Sequence, residues 1–427
     1  MIAYTLYMLT AMLIHTFADA DIPNEYREAA NVLLTKAFLD GENPYVLSAL
    51  TGDTPCFIYL YGPLYSVVTA VLSFVVPVNL ILLHYLVTFV CMLVSAWAGT
   101  VTVHRFTKSA AAPAAAFLFL LVCHWRYGFV NAVPDSMGVM FLMLTLLVLS
   151  SESFRYKPFV SALLTAAAFF AKQYFLLIAG TVFIYFLIYE RKNAFRYARD
   201  GIIIALVLAL IISLTNPLFW TYTLYLAKGP GDGVGSKVMN EGAKISSNVY
   251  NFRQIMSLGG LLLPLFIAET AGVIVSFIRK KLNRTDILLL IHLAVSGLCL
   301  VLYLGKNGGA WLSYYLELFA PALVLSSLIM LEKFAPGGEL EVRGRYVFLY
   351  VLFYIFFLSF TCFRIEQRLP KTPETAENYA DWAEAENIIK EHSEGETYLY
   401  PHLAYFGIEE GQYVYNSGQP FVVSEKF

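Results

Sequence analysis

The residues of this chain best suited to chemistry are carboxylates and cations at the edges of apolar runs. Asp21 and Glu25 stand four apart at the start of a segment with helical periodicity. Either carboxylate could act as general base on an acceptor hydroxyl. Asp135 opens an apolar run directly after Pro134, and Glu317 lies about one turn inside another. An acid at the edge of hydrocarbon is costly unless it has a partner or a task. Arg126, Lys172 and Lys306 occupy the same neighbourhoods. Such cations can hold a phosphate and stabilise a leaving group that gains negative charge. Each residue also has a plain structural reading. Asp21 and Asp135 would cap helices, Glu25 would complement a helix dipole, and Lys172 would snorkel. Glu317 would be a hydrogen-bonded structural acid. Against the plain reading stands their distribution: separate loops supply them, and all those loops fall on one side of the apolar runs.

Those runs dictate the elements. The 427 residues are 58% hydrophobic and only 14% charged, and mean hydropathy is +0.63. A soluble domain carries about 25% charge, so this chain has too little to solvate a globular surface of its size. A net charge of −2 argues against nucleic acid as a partner. The five cysteines have no metal-ligand spacing and read as small buried hydrophobes, so no metal ligand set is expected from them. Aromatic residues gather at the ends of apolar runs, as in an interfacial belt.

Apolar runs extend from 1–17 to 346–363. Basic clusters lie at His104-Arg105 with Lys108, Arg155 with Lys157, Arg191 to Arg199, Arg279 to Arg284, and Arg343 with Arg345. Positive charge marks the cytoplasmic side, and two runs separate each cluster from the next. The result is a series of out-and-back hairpins. It predicts an all-α polytopic bundle of about eleven spans. It also demotes run 59–77, bounded by Gly62-Pro63 and Pro77, to a re-entrant or interfacial helix. Otherwise that run spans and run 1–17 does not. Run 1–17 ends in Ala18-Asp19-Ala20 and is either a retained first helix or a signal peptide.

The loops on the outer side are long and polar. In the first, Tyr26, Ala29, Ala30, Leu33, Leu34 and Ala37 recur at helical spacing. This predicts an amphipathic helix in the headgroup plane, ended by Gly41. The turn Ala171-Lys172-Gln173 joins two short runs, which places Lys172 below the membrane surface in a cavity. The glycine-rich stretch 229–237 lacks the phosphate-loop pattern and reads as a lid or substrate loop. The inner halves of the spans read as uniformly apolar. That favours an enzyme over the alternative, a transporter or flippase of a lipid-linked or small polar substrate.

Four segments in this order resemble the integral-membrane glycosyltransferases of the C-type (GT-C) fold, the superfamily of protein O-mannosyltransferases and lipid A aminoarabinose transferases. The first is Asp21-Ile22-Pro23-Asn24-Glu25-Tyr26 followed by Asp40-Gly41 and Asn43-Pro44-Tyr45. The second, Tyr61-Gly62-Pro63-Leu64-Tyr65, is similar to the family's Y-P-P-L segment, with glycine for its first proline. The third pairs Val133-Pro134-Asp135-Ser136 with Ala171-Lys172-Gln173. The fourth is Gly308-Gly309 followed by Tyr314-Tyr315-Leu316-Glu317. The match covers residues 1–330.

The resemblance implies an EC 2.4 enzyme of the cytoplasmic membrane that works on the extracytoplasmic face. It would move a sugar from a polyprenyl-phosphate donor to an acceptor hydroxyl with inversion. Asp21 or Glu25 would be the base, and Asp135 would orient the acceptor. Lys172 and Arg126 would hold the donor phosphate, with Tyr61, Lys306, Tyr315 and Glu317 lining the substrate. Some relatives use a divalent metal and others do not. Residues 1–363 form the expected membrane domain, with 18–79 as its first outer loop. Residues 364–427 form a short or truncated extracytoplasmic α/β tail, with a helix over 379–390 and short strands at 397–400 and 412–415.

Overall fold

The computed structural model describes residues 26–46, 61–107, 110–123, 132–225, 265–302 and 315–334, with isolated positions elsewhere. The helices are α1 (Tyr26–Leu39), α2 (Leu64–Ser73), α3 (Leu80–His104), α4 (Ala111–Cys123), α5 (Asp135–Ser150) and α6 (Lys157–Ala171). A 3-10 turn over Gln173–Leu177 leads into α7 (Ile178–Tyr189), which is followed by α8 (Arg191–Thr215) and a π-turn at Thr221–Tyr225. Next come α9 (Leu265–Ile278), α10 (Arg284–Leu302), a second π-turn at Tyr315–Phe319, and α11 (Ala320–Phe334).

Helices α3 and α8 are long and apolar enough to cross a bilayer, at 25 residues each, or about 37 Å at 1.5 Å per residue. The start of α3 is fixed by Asn79, whose side chain accepts the Leu82 N–H at 2.7 Å. Around α8, Ile202, Leu206, Leu210 and Leu214 are all exposed. An apolar helix bare on its outer faces fits a lipid environment and no aqueous one. The buried core lies among α3, α4, α5, α7, α10 and α11, with Met92, Leu120, Leu142, Phe186, Leu289 and Leu325 in one continuous cluster. Phe17 packs edge-on against Phe89 of α3 at 5.8 Å between centroids.

The two ends of the bundle differ chemically. At one end the basic turns meet. Arg105 donates to the Leu147 carbonyl and the Ser150 hydroxyl, both at 2.9 Å. Glu190 lies 3.9 Å from Lys157 and 4.0 Å from Arg284. Lys333 pairs with Asp286 and donates to the Lys281 carbonyl at 2.9 Å. At the other end the polar loops meet. The Asn43 amide donates to the Thr215 carbonyl at 2.8 Å, and the Leu218 N–H donates to the Tyr45 carbonyl at 2.9 Å. Tyr45, Phe219 and Tyr222 form a ring cluster there. This is the separation that the hairpin pattern predicts.

Run 59–77 yields α2, only 10 residues long and about 15 Å, half of a hydrocarbon core. It packs on its neighbours: Tyr65 donates to the His84 carbonyl at 2.9 Å, and Ser66 to the Asn31 carbonyl at 3.2 Å.

Two expectations need correction. Helix α1 is not half-solvated. Its apolar stripe is buried, but so are Glu28, Asn31 and Thr35 on another face. Thr35 lies 2.9 Å from the His84 ring nitrogen, so these polar groups find protein partners where water was expected. The inner halves are also not uniformly apolar. Glu269 of α9 is buried and accepts from Ser326 at 2.6 Å. Asp286 and Lys333 are buried as an ion pair, with Asp286 also accepting the Asn283 N–H at 2.7 Å at the head of α10.

In the tail, Glu396–Thr397 (β1) pairs in parallel with Tyr413–Val414 (β2); β2 falls inside the second segment read as a strand, and β1 overlaps the first only at Thr397. Glu384, Asn387, Ile388 and Glu391 are helical; the first three fall in the segment read as a helix and Glu391 just past it.

Candidate active site

Lys172 interrupts two helices that are too short to cross. Helix α6 has 15 residues and α7 has 12; at about 22 Å and 18 Å, neither spans a core of about 30 Å. The break is local. Lys172 is extended (φ −158°, ψ 124°), its N–H still bonds the Ala168 carbonyl, and its own carbonyl accepts the Phe175 N–H at 3.1 Å. The side chain is therefore held inside the bundle, 4% exposed.

Its partners come from three other elements. Lys172 Nζ lies 2.5 Å from Asp135 Oδ1 at the first residue of α5. It sits over the Tyr61 ring at 4.8 Å and the Tyr174 ring at 5.0 Å. Aromatic faces at these distances stabilise a cation by about 2 kcal/mol when desolvated. Glu317, buried in the second π-turn, adds a further negative field. Lys172 is thus a buried ammonium paired with Asp135 and walled by two aromatic rings.

Two glycines let the elements close on it. A Cβ on Gly62 would lie 2.0 Å from the Phe170 carbonyl oxygen, so Tyr61-Gly62-Pro63 can lie against the end of α6 only with hydrogen at that position. A Cβ on Gly138 would lie 2.0 Å from the Phe175 ring, which brings the first turn of α5 against the turn after Lys172. Gln173 reaches back to the Thr223 carbonyl at 3.4 Å, tying this turn to the first π-turn.

Helix α1 holds the segment leading to Asp135. Glu28 Oε1 accepts the Ala132 N–H at 3.1 Å, and Glu28 Oε2 accepts the Tyr85 O–H at 3.1 Å. The Asn31 amide donates to the Ala132 carbonyl at 2.9 Å.

Of the sequence-derived candidates, the structure brings Asp135, Lys172, Tyr61 and Glu317 together. Tyr315 contributes backbone to the second π-turn, and its side chain is outside the described residues. Asp21, Glu25, Arg126 and Lys306 also lie outside them. Among the described residues, no group of three or more His, Cys, Asp or Glu could hold a metal ion. Sequence reasoning missed Tyr174, Gly138, Glu28 and Asn31. The signal for the last two was present, because Glu28, Asn31 and Thr35 form a polar stripe at helical spacing along α1.

No family model and no curated protein matches the sequence. Solved structures do match the fold. The apo structure of ArnT from Cupriavidus metallidurans superposes with a TM-score of 0.61 at 12% identity, covering 99% of this chain and 87% of that one. ArnT bound to undecaprenyl phosphate gives 0.60, also at 12% identity, over 99% of this chain and 87% of that one. The Archaeoglobus fulgidus oligosaccharyltransferase AglB, in complex with an inhibitory peptide and a dolichol-phosphate, gives 0.55 at 12% identity, over 98% of this chain and 64% of that one. From one end to the other, the chain is similar to these two proteins in architecture, and its fold is the GT-C fold that its motifs resemble.

Proposed function

We propose that this protein is a glycosyltransferase that moves a sugar from a polyprenyl-phosphate-linked donor to an acceptor hydroxyl on the extracytoplasmic face, with inversion at the anomeric carbon. The observation that carries this reading is the Lys172 recess. A charged ammonium is held by Asp135, faced by Tyr61 and Tyr174 and backed by Glu317, at the end of the bundle where the polar loops converge. Support also comes from the fold, since ArnT has been solved with undecaprenyl phosphate and AglB with a dolichol-phosphate.

In this reading Lys172 binds the donor phosphate and Arg126 assists it, while Tyr61, Lys306, Tyr315 and Glu317 line the substrate. Asp21 or Glu25 takes the proton from the acceptor hydroxyl as its oxygen bonds to the anomeric carbon. The bond from that carbon to the phosphate oxygen breaks on the opposite face. Its electron pair leaves with the polyprenyl phosphate, whose new negative charge Lys172 stabilises. Asp135 keeps the ammonium oriented and contacts the acceptor. Electrostatic stabilisation in a water-excluded site is worth far more than in water, which gives the burial of Lys172 a purpose.

The test is transfer of labelled sugar from polyprenyl-phosphate donors in proteoliposomes, comparing wild type with Asp21→Asn, Glu25→Gln, Asp135→Asn and Lys172→Met. One first-loop variant should lose about 100-fold or more in kcat, as expected for a general base. Lys172→Met should lose a comparable amount. Full activity in all three carboxylate variants would overturn the catalytic assignment. Movement of the lipid-linked sugar across the bilayer without transfer would replace the reading with a flippase.

A further inference from the structure

We infer that Glu28 and Asn31 are positioning residues, which act on the reaction through the Ala132 peptide and Asp135. This inference rests on the reading of Asp135 as part of the transfer site. Two side chains one turn apart on α1 grip one residue of the second polar loop. Glu28 accepts the Ala132 N–H and Asn31 donates to the Ala132 carbonyl. Glu28 is 0% exposed, Asn31 1% and Ala132 0%. Burying a carboxylate is expensive, and this one meets the cost with charge-assisted bonds to a backbone amide and to the Tyr85 hydroxyl. Both of its oxygens are thus committed to donors, which suits a fixed strut and not a base that must exchange a proton with substrate.

The grip is transmitted over a short, stiff path. Only Val133 and Pro134 separate Ala132 from Asp135. Pro134 has φ fixed at −72°, and the Gly138 N–H returns to its carbonyl at 3.2 Å. Asp135 then meets Lys172. Helix α1 therefore fixes the register of the Asp135–Lys172 pair. A displacement of about 1 Å in such a constellation costs on the order of 100-fold in rate.

The experiment compares Glu28→Gln, Glu28→Ala and Asn31→Asp with wild type in the full-length protein, by two readouts. The first is kcat and donor KM for sugar transfer. The second is amide exchange over the segment that begins at Ala132, measured without substrate. Glutamine can accept the Ala132 N–H with its oxygen and donate to Tyr85 with its amide. Glu28→Gln should therefore keep kcat within about 3-fold and leave exchange unchanged. Glu28→Ala and Asn31→Asp should lower kcat by about 10- to 100-fold, with donor KM nearly unchanged and exchange of the segment accelerated.

If Glu28→Gln is as damaging as Glu28→Ala while exchange stays at the wild-type rate, the charge acts directly and the positioning role is wrong. Wild-type kcat in both Glu28→Ala and Asn31→Asp is equally fatal to it. Should the wild-type protein transfer no sugar, the transferase reading falls. The exchange arm then decides the grip by itself, and unchanged exchange in Glu28→Ala would remove it.

Discussion

A Cβ on Gly62 would lie 2.0 Å from the Phe170 carbonyl oxygen and 2.7 Å from the Phe170 Cα. Backbone cannot rotate out of the way as a side chain can, so one of the two segments must move. The segment that moves carries Tyr61, whose ring faces Lys172. Gly62→Ala should therefore cost about 1–3 kcal/mol of stability, the usual range for overpacking, and should weaken donor binding together with it. Gly201→Ala is the matched control. Gly201 sits in α8 with nothing within 4 Å of its added Cβ, so that change should be neutral or stabilise by up to about 1 kcal/mol. Thermal unfolding in detergent, followed by tryptophan fluorescence, separates the two; equal midpoints would refute the close-packing account. Gly62 was visible in the sequence as a boundary of run 59–77 and as a departure from the Y-P-P-L pattern. Its reason lies in Phe170, far away along the chain, and no local signal carries that.

Helix α1 shows how much of an element can be read in advance. Its apolar stripe of Ala30, Leu33, Leu34 and Ala37 is buried as periodicity requires. Its end is also legible: Gly41 takes φ +76°, and the Glu42 N–H bonds the Ala37 carbonyl at 2.8 Å, as in a Schellman cap. The environment of its second face was not legible. Glu28, Asn31 and Thr35 look like a solvated stripe, and only distant partners reveal otherwise: Ala132, Tyr85 and His84. Short apolar runs gave the opposite case. The brevity of α6 and α7 was enough to expect Lys172 in the interior, where it is buried, because a helix has a fixed rise and a bilayer a fixed thickness. A buried α1 makes a distinct prediction. Its amides from Val32 to Lys36 should exchange about as slowly as those of α3 from Leu83 to Thr88. A helix with its polar face open to solvent would instead open locally and exchange much faster. Fast exchange confined to α1 would refute the burial of its second face.

Across the whole molecule, two independent patterns agree. Counting basic clusters along the chain assigns them to one side, and the structure brings most of their turns into contact at one end through Arg105, Lys157, Glu190, Arg284 and Lys333. Counting apolar runs assigns the polar loops to the other side, and there Asn43 meets Thr215 while Glu28 and Asn31 meet Ala132. Neither pattern depends on the motifs that resemble known enzymes, so the sidedness stands on electrostatics and helix geometry alone. A donor sugar on a long-chain lipid phosphate would reach Lys172 from the plane of the bilayer, at the polar end of the bundle. The orientation can be measured directly. With the five cysteines replaced by serine, single cysteines at Arg155, Arg196 and Arg279 mark the basic end, and one at Asp40 marks the polar end; all four positions are exposed. A membrane-impermeant maleimide applied to intact cells should label the position 40 cysteine at once. It should reach those at 155, 196 and 279 only after the membrane is permeabilised. Labelling of 155, 196 or 279 in intact cells would invert the protein, move the Lys172 recess to the cytoplasmic face, and require the donor to be a lipid-linked sugar displayed there.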